Sequence, residues 1–231
     1  MHYNHIEPAV FIDRPNRFIA HIETESGPQV CHVKNTGRCR ELLIPGAKIF
    51  VQRCVAPTRK THYDLISVRK GEKLINIDSA APNRVFAERV RAGGLFGDIS
   101  LLRPETRFGS SRFDFYIEAD GRRAFVEVKG VTLEENGVVR FPDAPTIRGE
   151  RHLRELISCV EAGYDAYAVF IIQMKGVSHF EPNRETHPAF GEALRAAERA
   201  GVILLATDCR VTETEITAGD PVPIVTNPPQ R

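Results

Sequence analysis

Long apolar runs are missing from this 231-residue chain. The longest, AYAVFIIQM at 166–174, falls well short of the ~20 residues a membrane-spanning helix needs and has the length of a buried strand. The opening MHYNHIEPAV has no basic region followed by an apolar stretch, so no signal peptide is expected. Cysteine is sparse: Cys31, Cys39, Cys54, Cys159 and Cys209 are odd in number and contain no C-x-x-C pair. That excludes a disulfide framework and paired zinc ligands, and it predicts free thiols in a reducing, cytoplasmic setting. A surplus of one charge is also lacking, since 31 Lys and Arg balance 30 Asp and Glu to a net +1. The chain is therefore not a uniformly basic, histone-like binder. Local basic grooves stay open, because binding depends on where charge lies. No repeat or low-complexity tract is visible, and 42% apolar with 26% charged residues is the composition of an ordinary globular protein.

Two patterns follow one another along the chain. Residues 1–80 read as short strands: RFIAHIE, with Phe18, Ala20 and Ile22 on one face, then QVCHVKN, AKIFVQRCV, YDLISVRK and KLINID. The one helical candidate there is a brief turn at Glu41–Ile44, stopped by Pro45. Several short strands in so few residues predict a small closed β-barrel of the OB type, since closure removes strand edges. SAAPN then reads as a linker, with Asn83 as the cap of a helix to Arg91 that Gly93-Gly94 ends. Over 81–231 helices at about 147–162 and 188–200 alternate with apolar strands, which predicts an α/β domain with a partly parallel, mixed central sheet. Charge divides with the pattern. Residues 1–80 hold 12 basic and 8 acidic side chains, net +4, which leaves −3 for the rest.

The segment RFDFYIEADGRRAFVEVK at 112–129 carries the chemistry. Side chains alternate faces along a strand, so Glu127 and Lys129 share one face while Val126 and Val128 take the other. If the two strands pair through the turn at 119–123, Asp114 joins Glu127 and Lys129, with Phe113, Phe115 and Ile117 in the valine layer. Two carboxylates and an ammonium suit divalent-metal phosphodiester hydrolysis, because Mg²⁺ takes one or two carboxylates with water and phosphate oxygens completing its shell. On the bare pattern alone, an ordinary hairpin with a structural Glu–Lys pair is the stronger reading, because Asp…Glu-x-Lys is common. Glu88, on the preceding helix, is either a further carboxylate for the site or a solvated helix residue. Arg148, His152 and Glu155 form a polar stripe beside the apolar stripe Leu153, Leu156, Ile157 and Val160. That stripe either meets phosphate at the edge of the site or is an exposed face.

FVEVKGVTL, FPDAPTIRGERHLREL, SRFDF and HVKNTGRCRELLIPG together resemble the sugar fermentation stimulation protein A family, over about 10–225. The resemblance implies an N-terminal OB-like domain followed by a PD-(D/E)XK restriction-endonuclease-like α/β domain, and a DNA-binding protein with a role in sugar utilisation. It further implies that Asp114 is the motif aspartate, Glu127 the (D/E) position, Lys129 the motif lysine and Glu88 an accessory acid. Asp114, Glu127 and Glu88 would then bind Mg²⁺ or Mn²⁺, with Lys129 assisting the water, while Arg148 and His152 orient substrate or water. No proline precedes Asp114, a departure from the motif's name. In the barrel, NTGR at 35–38 is the expected phosphate contact, with Gly37 making a tight turn that exposes backbone N–H groups beside Arg38 and Arg40. Arg112, at the head of the first motif strand, is counted among the nucleic-acid contacts. The implied partners are DNA foremost, no membrane, and optionally a second copy of the chain. Three functions remain in competition: a metal-dependent nuclease; a non-catalytic, largely sequence-nonspecific DNA-binding regulator that keeps the fold; and, more weakly supported, a barrel that recruits a protein partner while the charged site is vestigial.

Overall fold

A computed structural model describes residues 1–35, 37–54, 59–93 and 95–227. Six strands come first: β1 (Ile6–Asn16), β2 (Ile19–Thr24), β3 (Gly27–Val33), β4 (Lys48–Arg53), β5 (Tyr63–Lys70) and β6 (Lys73–Asn76). The sheet runs β3-β2-β1-β4-β5-β6, and a parallel β3–β5 pairing closes the first five into an OB-like barrel. Ala20, Ile22, Cys31, Val51 and Leu65 fill it, each a strand residue whose side chain points inward. Phe18 does not join Ala20 and Ile22. It lies ahead of β2, where Asn16 Oδ1 accepts from its backbone N–H, and its side chain is 50% exposed. β1 carries Pro8 and Pro15, which obscure its strand pattern in sequence, yet Pro8 sits opposite Phe50 in the ladder. Residues 39–44 form the expected turn, with the Leu42 and Leu43 N–H groups donating to the Cys39 carbonyl.

The second region holds α1 (Ala81–Arg91), β7 (Ile99–Phe108), β8 (Ser111–Ala119), β9 (Arg122–Val131), β10 (Leu133–Glu135) and β11 (Val138–Phe141). It continues with α2 (Ile147–Glu161), β12 (Asp165–Ile172), β13 (His179–Pro182), α3 (Pro188–Arg199), β14 (Ile203–Val211) and β15 (Ile216–Pro221). Its main sheet has the order β15-β14-β12-β9-β8-β7 and is mixed: β9, β12 and β14 run parallel, and the flanking pairs are antiparallel. β12 is buried over most of its length, as its unbroken apolar run requires. The β8–β9 turn is Asp120-Gly121, both at positive φ, the chemistry a two-residue hairpin demands. β7 was hidden in sequence by Pro104, which faces Phe115 from the sheet's edge strand.

Asn83 is not the cap of α1. The helix starts at Ala81 with Ala80 as N-cap and Pro82 in the first turn, where a missing N–H costs nothing. Gly93, at φ 83°, ends it as expected; Gly94, and Thr36 of the NTGR segment, lie outside the described residues. α2 is capped by Thr146, whose hydroxyl accepts from the Gly149 N–H at 3.0 Å. One apolar cluster runs continuously from the barrel interior (Phe11, Leu65) to the α2 side of the sheet (Phe113, Leu156, Phe170), so the two regions share a core. A second cluster packs α1 against the other sheet face through Phe86, Phe115, Val126 and Val128. All five cysteines are free thiols, and burial pushes Cys39, Cys159 and Cys209 up to about 12, far from nucleophilic. No helix among the described residues is long and apolar enough to cross a membrane.

Candidate metal centre and nucleic-acid interface

The β8–β9 ladder runs from Ala119↔Arg122 to Phe115↔Val126 and goes no further. Asp114 is the next residue, and its side chain bridges the gap. Asp114 Oδ2 accepts from the Val128 backbone N–H at 2.8 Å, and Oδ1 accepts from Asn83 Nδ2 at 2.9 Å. The carboxylate thus takes over an N–H that no ladder bond serves. Alternation breaks here too: Phe115 and Ile117 lie in the valine layer under α1, but Phe113 turns to the α2 side, against Phe125 and His152. The expectation that all three share one layer is corrected by this splay.

Glu127 sits on the α2 face and is 4% exposed. Lys129 Nζ and His152 Nδ1 both hydrogen-bond to its Oε1. Oε2 is buried with no partner. An unserved buried acceptor costs roughly 1–3 kcal/mol, and the more so for a carboxylate. His152, 2% exposed, belongs to the core side of α2 rather than to a solvated stripe. Arg148 Nε, which can only donate, points at His152 Nε2 at 3.4 Å, so the imidazole N–H lies on Nδ1 and donates to Glu127. Glu155, third in the stripe, accepts from Ser110 Oγ at 2.8 Å, away from the cluster.

The two carboxylates are driven apart in acidity. Burial pushes Asp114 up, and the nearby Glu127 charge adds to this against Lys129 and the two N–H donors. Burial also pushes Glu127 up, but the His152 and Lys129 hydrogen bonds and the Lys129 charge outweigh it and hold Glu127 below its ordinary value. The protein therefore keeps an ionised Glu127 beside a more basic Asp114.

Glu88 is not brought to this cluster. It lies roughly 140° round α1 from Asn83, and its carboxylate, 51% exposed, pairs with the N-terminal amine at 2.6 Å. Asn83 takes the place on α1 that faces Asp114. Arg112 lies in an exposed ion pair with Glu105 at 2.7 Å, outside the cluster. Arg148 is exposed next to the cluster.

The barrel's 35–38 loop differs from a backbone phosphate cradle. The Gly37 N–H donates to Asn35 Oδ1 and the Arg38 N–H to Asp143 Oδ2, at 2.7 and 2.8 Å, so these donors are already used. Arg14 gathers the loop by donating to the carbonyls of Asn35, Gly37 and Arg38. Glycine at 37 is required by proximity, since a Cβ there would stand 2.4 Å from Asp143 Oδ2. The side chains of Arg38 and Arg40 remain exposed and, among the described residues, have no carboxylate partner.

Among the described residues no three or more His, Cys, Asp or Glu side chains form a metal cage. The donor set is the Asp114–Glu127 pair, with one oxygen of Glu127 unserved. It fits a hard, oxygen-seeking ion that keeps several waters, and does not fit zinc. A cleft of about 740 Å³ between the β5–β6 and β14–β15 hairpins holds neither carboxylate.

A five-stranded OB-like barrel sharing its core with a mixed α/β sheet, and a buried Glu127 flanked by half-buried Asp114 and Lys129 where two sheet strands part, define a two-region class of protein. The SfsA N-terminal OB domain model matches residues 12–77, and the sugar fermentation stimulation protein RE domain model matches 80–215. The chain belongs to the sugar fermentation stimulation protein family. It is 54% identical over 225 residues to the homolog of Clostridium beijerinckii, covering 97% of this chain and all of that one. It is 58% identical over 220 residues to the homolog of Desulfitobacterium hafniense strain Y51, covering 95% and 96%. The structure of Pyrococcus furiosus SfsA in complex with Ca²⁺ matches with a TM-score of 0.86 and 29% identity, covering 97% of this chain and 98% of that chain.

Proposed function

We propose that this protein binds nucleic acid, DNA foremost, and hydrolyses its phosphodiester bonds with Mg²⁺ or Mn²⁺ held by Asp114 and Glu127. The observation that carries this is the buried, unpartnered Oε2 of Glu127 beside a second, half-buried carboxylate and a lysine. The Pyrococcus furiosus relative in complex with Ca²⁺, another oxygen-seeking ion, supports it. When bound, the ion supplies Lewis-acid polarisation of the phosphoryl group and acidifies water at the site.

The rest is done by the chain. His152 and Lys129 fix one oxygen of Glu127 and so aim the other outward. Asn83 and the Val128 N–H fix Asp114. Lys129 keeps an ammonium where negative charge grows on the phosphate. His152 is buried, so it positions Glu127 and does not touch substrate. Arg148 is exposed beside it and free to meet a phosphate, while Arg38 and Arg40 offer the same from the barrel. Glu88 and Arg112, each paired elsewhere, take no part.

The test is cleavage of a panel of single- and double-stranded DNA and RNA with Mg²⁺ or Mn²⁺, comparing wild type with Asp114→Ala and Lys129→Ala. Metal-dependent products from wild type that both variants lose are expected. Unchanged cleavage in both variants would sink the site assignment, and salt-dependent binding without any cleavage would reduce the protein to a binder.

A further inference from the structure

A groove of about 420 Å³ follows the seam between barrel and α/β domain. Its floor includes Gly130, the residue after Lys129, and Pro82, the residue before Asn83. The floor must be low. A Cβ at Gly130 would stand 2.5 Å from Gln173 Oε1 and 2.7 Å from Pro82 Cγ. Gln173 cannot easily yield, because its Nε2 donates to Asn76 Oδ1 at 2.9 Å and to the Asp78 carbonyl at 3.0 Å.

Each end of the groove carries an apolar side chain that this chain leaves in water. On the barrel side Arg17 lines the wall, and its guanidinium lies 5.4 Å from the ring centroid of half-exposed Phe18. On the other side Pro145 and Thr146 line the wall, and the next residue, Ile147, is 81% exposed. The groove's one carboxylate among the described residues, Asp143, already accepts from the Arg38 N–H. The wall facing an anion is therefore guanidinium, amide and hydroxyl.

We propose that this groove takes an unpaired nucleic-acid strand, with a base stacked on Phe18, the phosphates passing Arg17, and Ile147 closing against a base on the far side. The proposal rests on the nucleic-acid reading above and narrows its substrate to single strands or single-stranded ends. Stacking on an exposed ring favours an unpaired strand, whose bases are free to leave their stack. A cleft of this size lies near the lower end of the roughly 300–1,000 Å³ that accommodates a drug-sized ligand, which is a nucleotide or two. Aromatic stacking beside positive charge is how a strand is held without sequence preference.

Anisotropy of labelled oligonucleotides, single-stranded and as a blunt duplex of the same sequence, tests this in EDTA, where binding is separate from metal chemistry. Wild type is expected to bind the single strand at least tenfold more tightly than the duplex. Phe18→Ala should weaken single-strand binding about 5- to 100-fold, the range for loss of one stacked base, with Phe18→Trp restoring it. Ile147→Glu should weaken it from the other wall; both side chains are exposed, so neither change disturbs the core. Equal binding of the two forms, or an unchanged Phe18→Ala, overturns the proposal. No binding of either form overturns it together with the nucleic-acid reading. The expected binding pattern in a protein that never cleaves leaves the groove standing and removes only the chemistry.

Discussion

The barrel and the α/β domain both bury carboxylates, but in the barrel Asp78 and Asp64 are each held by a cation, Lys34 and Arg59, and the two regions differ in what they leave to be met from outside. In the barrel the informative groups are cations at the surface: Arg17, Arg38 and Arg40 are exposed. In the α/β domain they are carboxylates taken out of water: Glu127, Glu134 and Asp208 are all at most 6% exposed. The first arrangement suits contact with a polyanion from outside. The second stores negative charge where only a cation of stated geometry relieves it. Glu134 and Asp208 are relieved by lysines, Lys70 with Lys73 and Lys175 respectively, whereas Glu127 keeps one oxygen unserved. An unserved oxygen alone does not mark the site, since Glu41 and Glu155 each bury one too; Asp114 and Lys129 beside it set Glu127 apart.

The comparison predicts a double dissociation. The largest effect belongs to the carboxylate–lysine group of the α/β domain. Asp114→Ala and Lys129→Ala should lower cleavage by about 10²-fold or more, the scale of losing a preorganised group at developing charge, while oligonucleotide affinity in EDTA holds. If affinity falls with cleavage, the two regions do not divide the work.

Next in size is the clasp between them. Lys70 and Lys73 of the barrel hairpin meet Glu134 of β10 at 2.8 and 3.3 Å, and the Gly137 N–H donates to Glu134 at 2.7 Å. Burial alone would push Glu134 up, but these contacts bring it down to about 2. A depressed carboxylate stabilises the fold above its unfolded value, near 4.5, and loses that contribution as pH falls towards about 2. Denaturation of wild type and Glu134→Gln across that window should show a gap of order 2 kcal/mol near neutrality, discounted for the lysines' partial exposure. The gap should close as acid is added. A gap independent of pH would mean that packing, not charge, holds the seam.

The smallest effects belong to the barrel arginines. Arg38→Ala and Arg40→Ala should each lower the slope of log affinity against log salt by about one, or slightly less for a single strand. Cleavage at saturating substrate should stay unchanged. An altered saturated rate would place these arginines in the chemistry.

Much of this was readable in sequence where one local rule governs. The Asp120-Gly121 turn, the β12 run and the period-two placement of Glu127 and Lys129 on β9 all appear in the structure as expected. What stayed hidden depends on partners distant in the chain. Proline masked β1 and β7, because only a sheet's geometry shows which of its positions can lack a donor. Perfect alternation predicted Phe113 beside Phe115, and the splay at Asp114 denies it. His152 sat on a polar stripe in sequence, yet the buried carboxylate of Glu127 draws it into the core. Glu88 had the right residue type on the right helix but the wrong phase, and its carboxylate went to the N-terminal amine.

The central claim is that Asp114 and Glu127 together hold a divalent ion. Calorimetric titration of Mn²⁺ into wild type, Asp114→Asn and Glu127→Gln measures it without any substrate. The account predicts one site in wild type that either substitution weakens by at least tenfold, with Glu88→Gln unchanged. Equal Mn²⁺ affinity in all four proteins would contradict it.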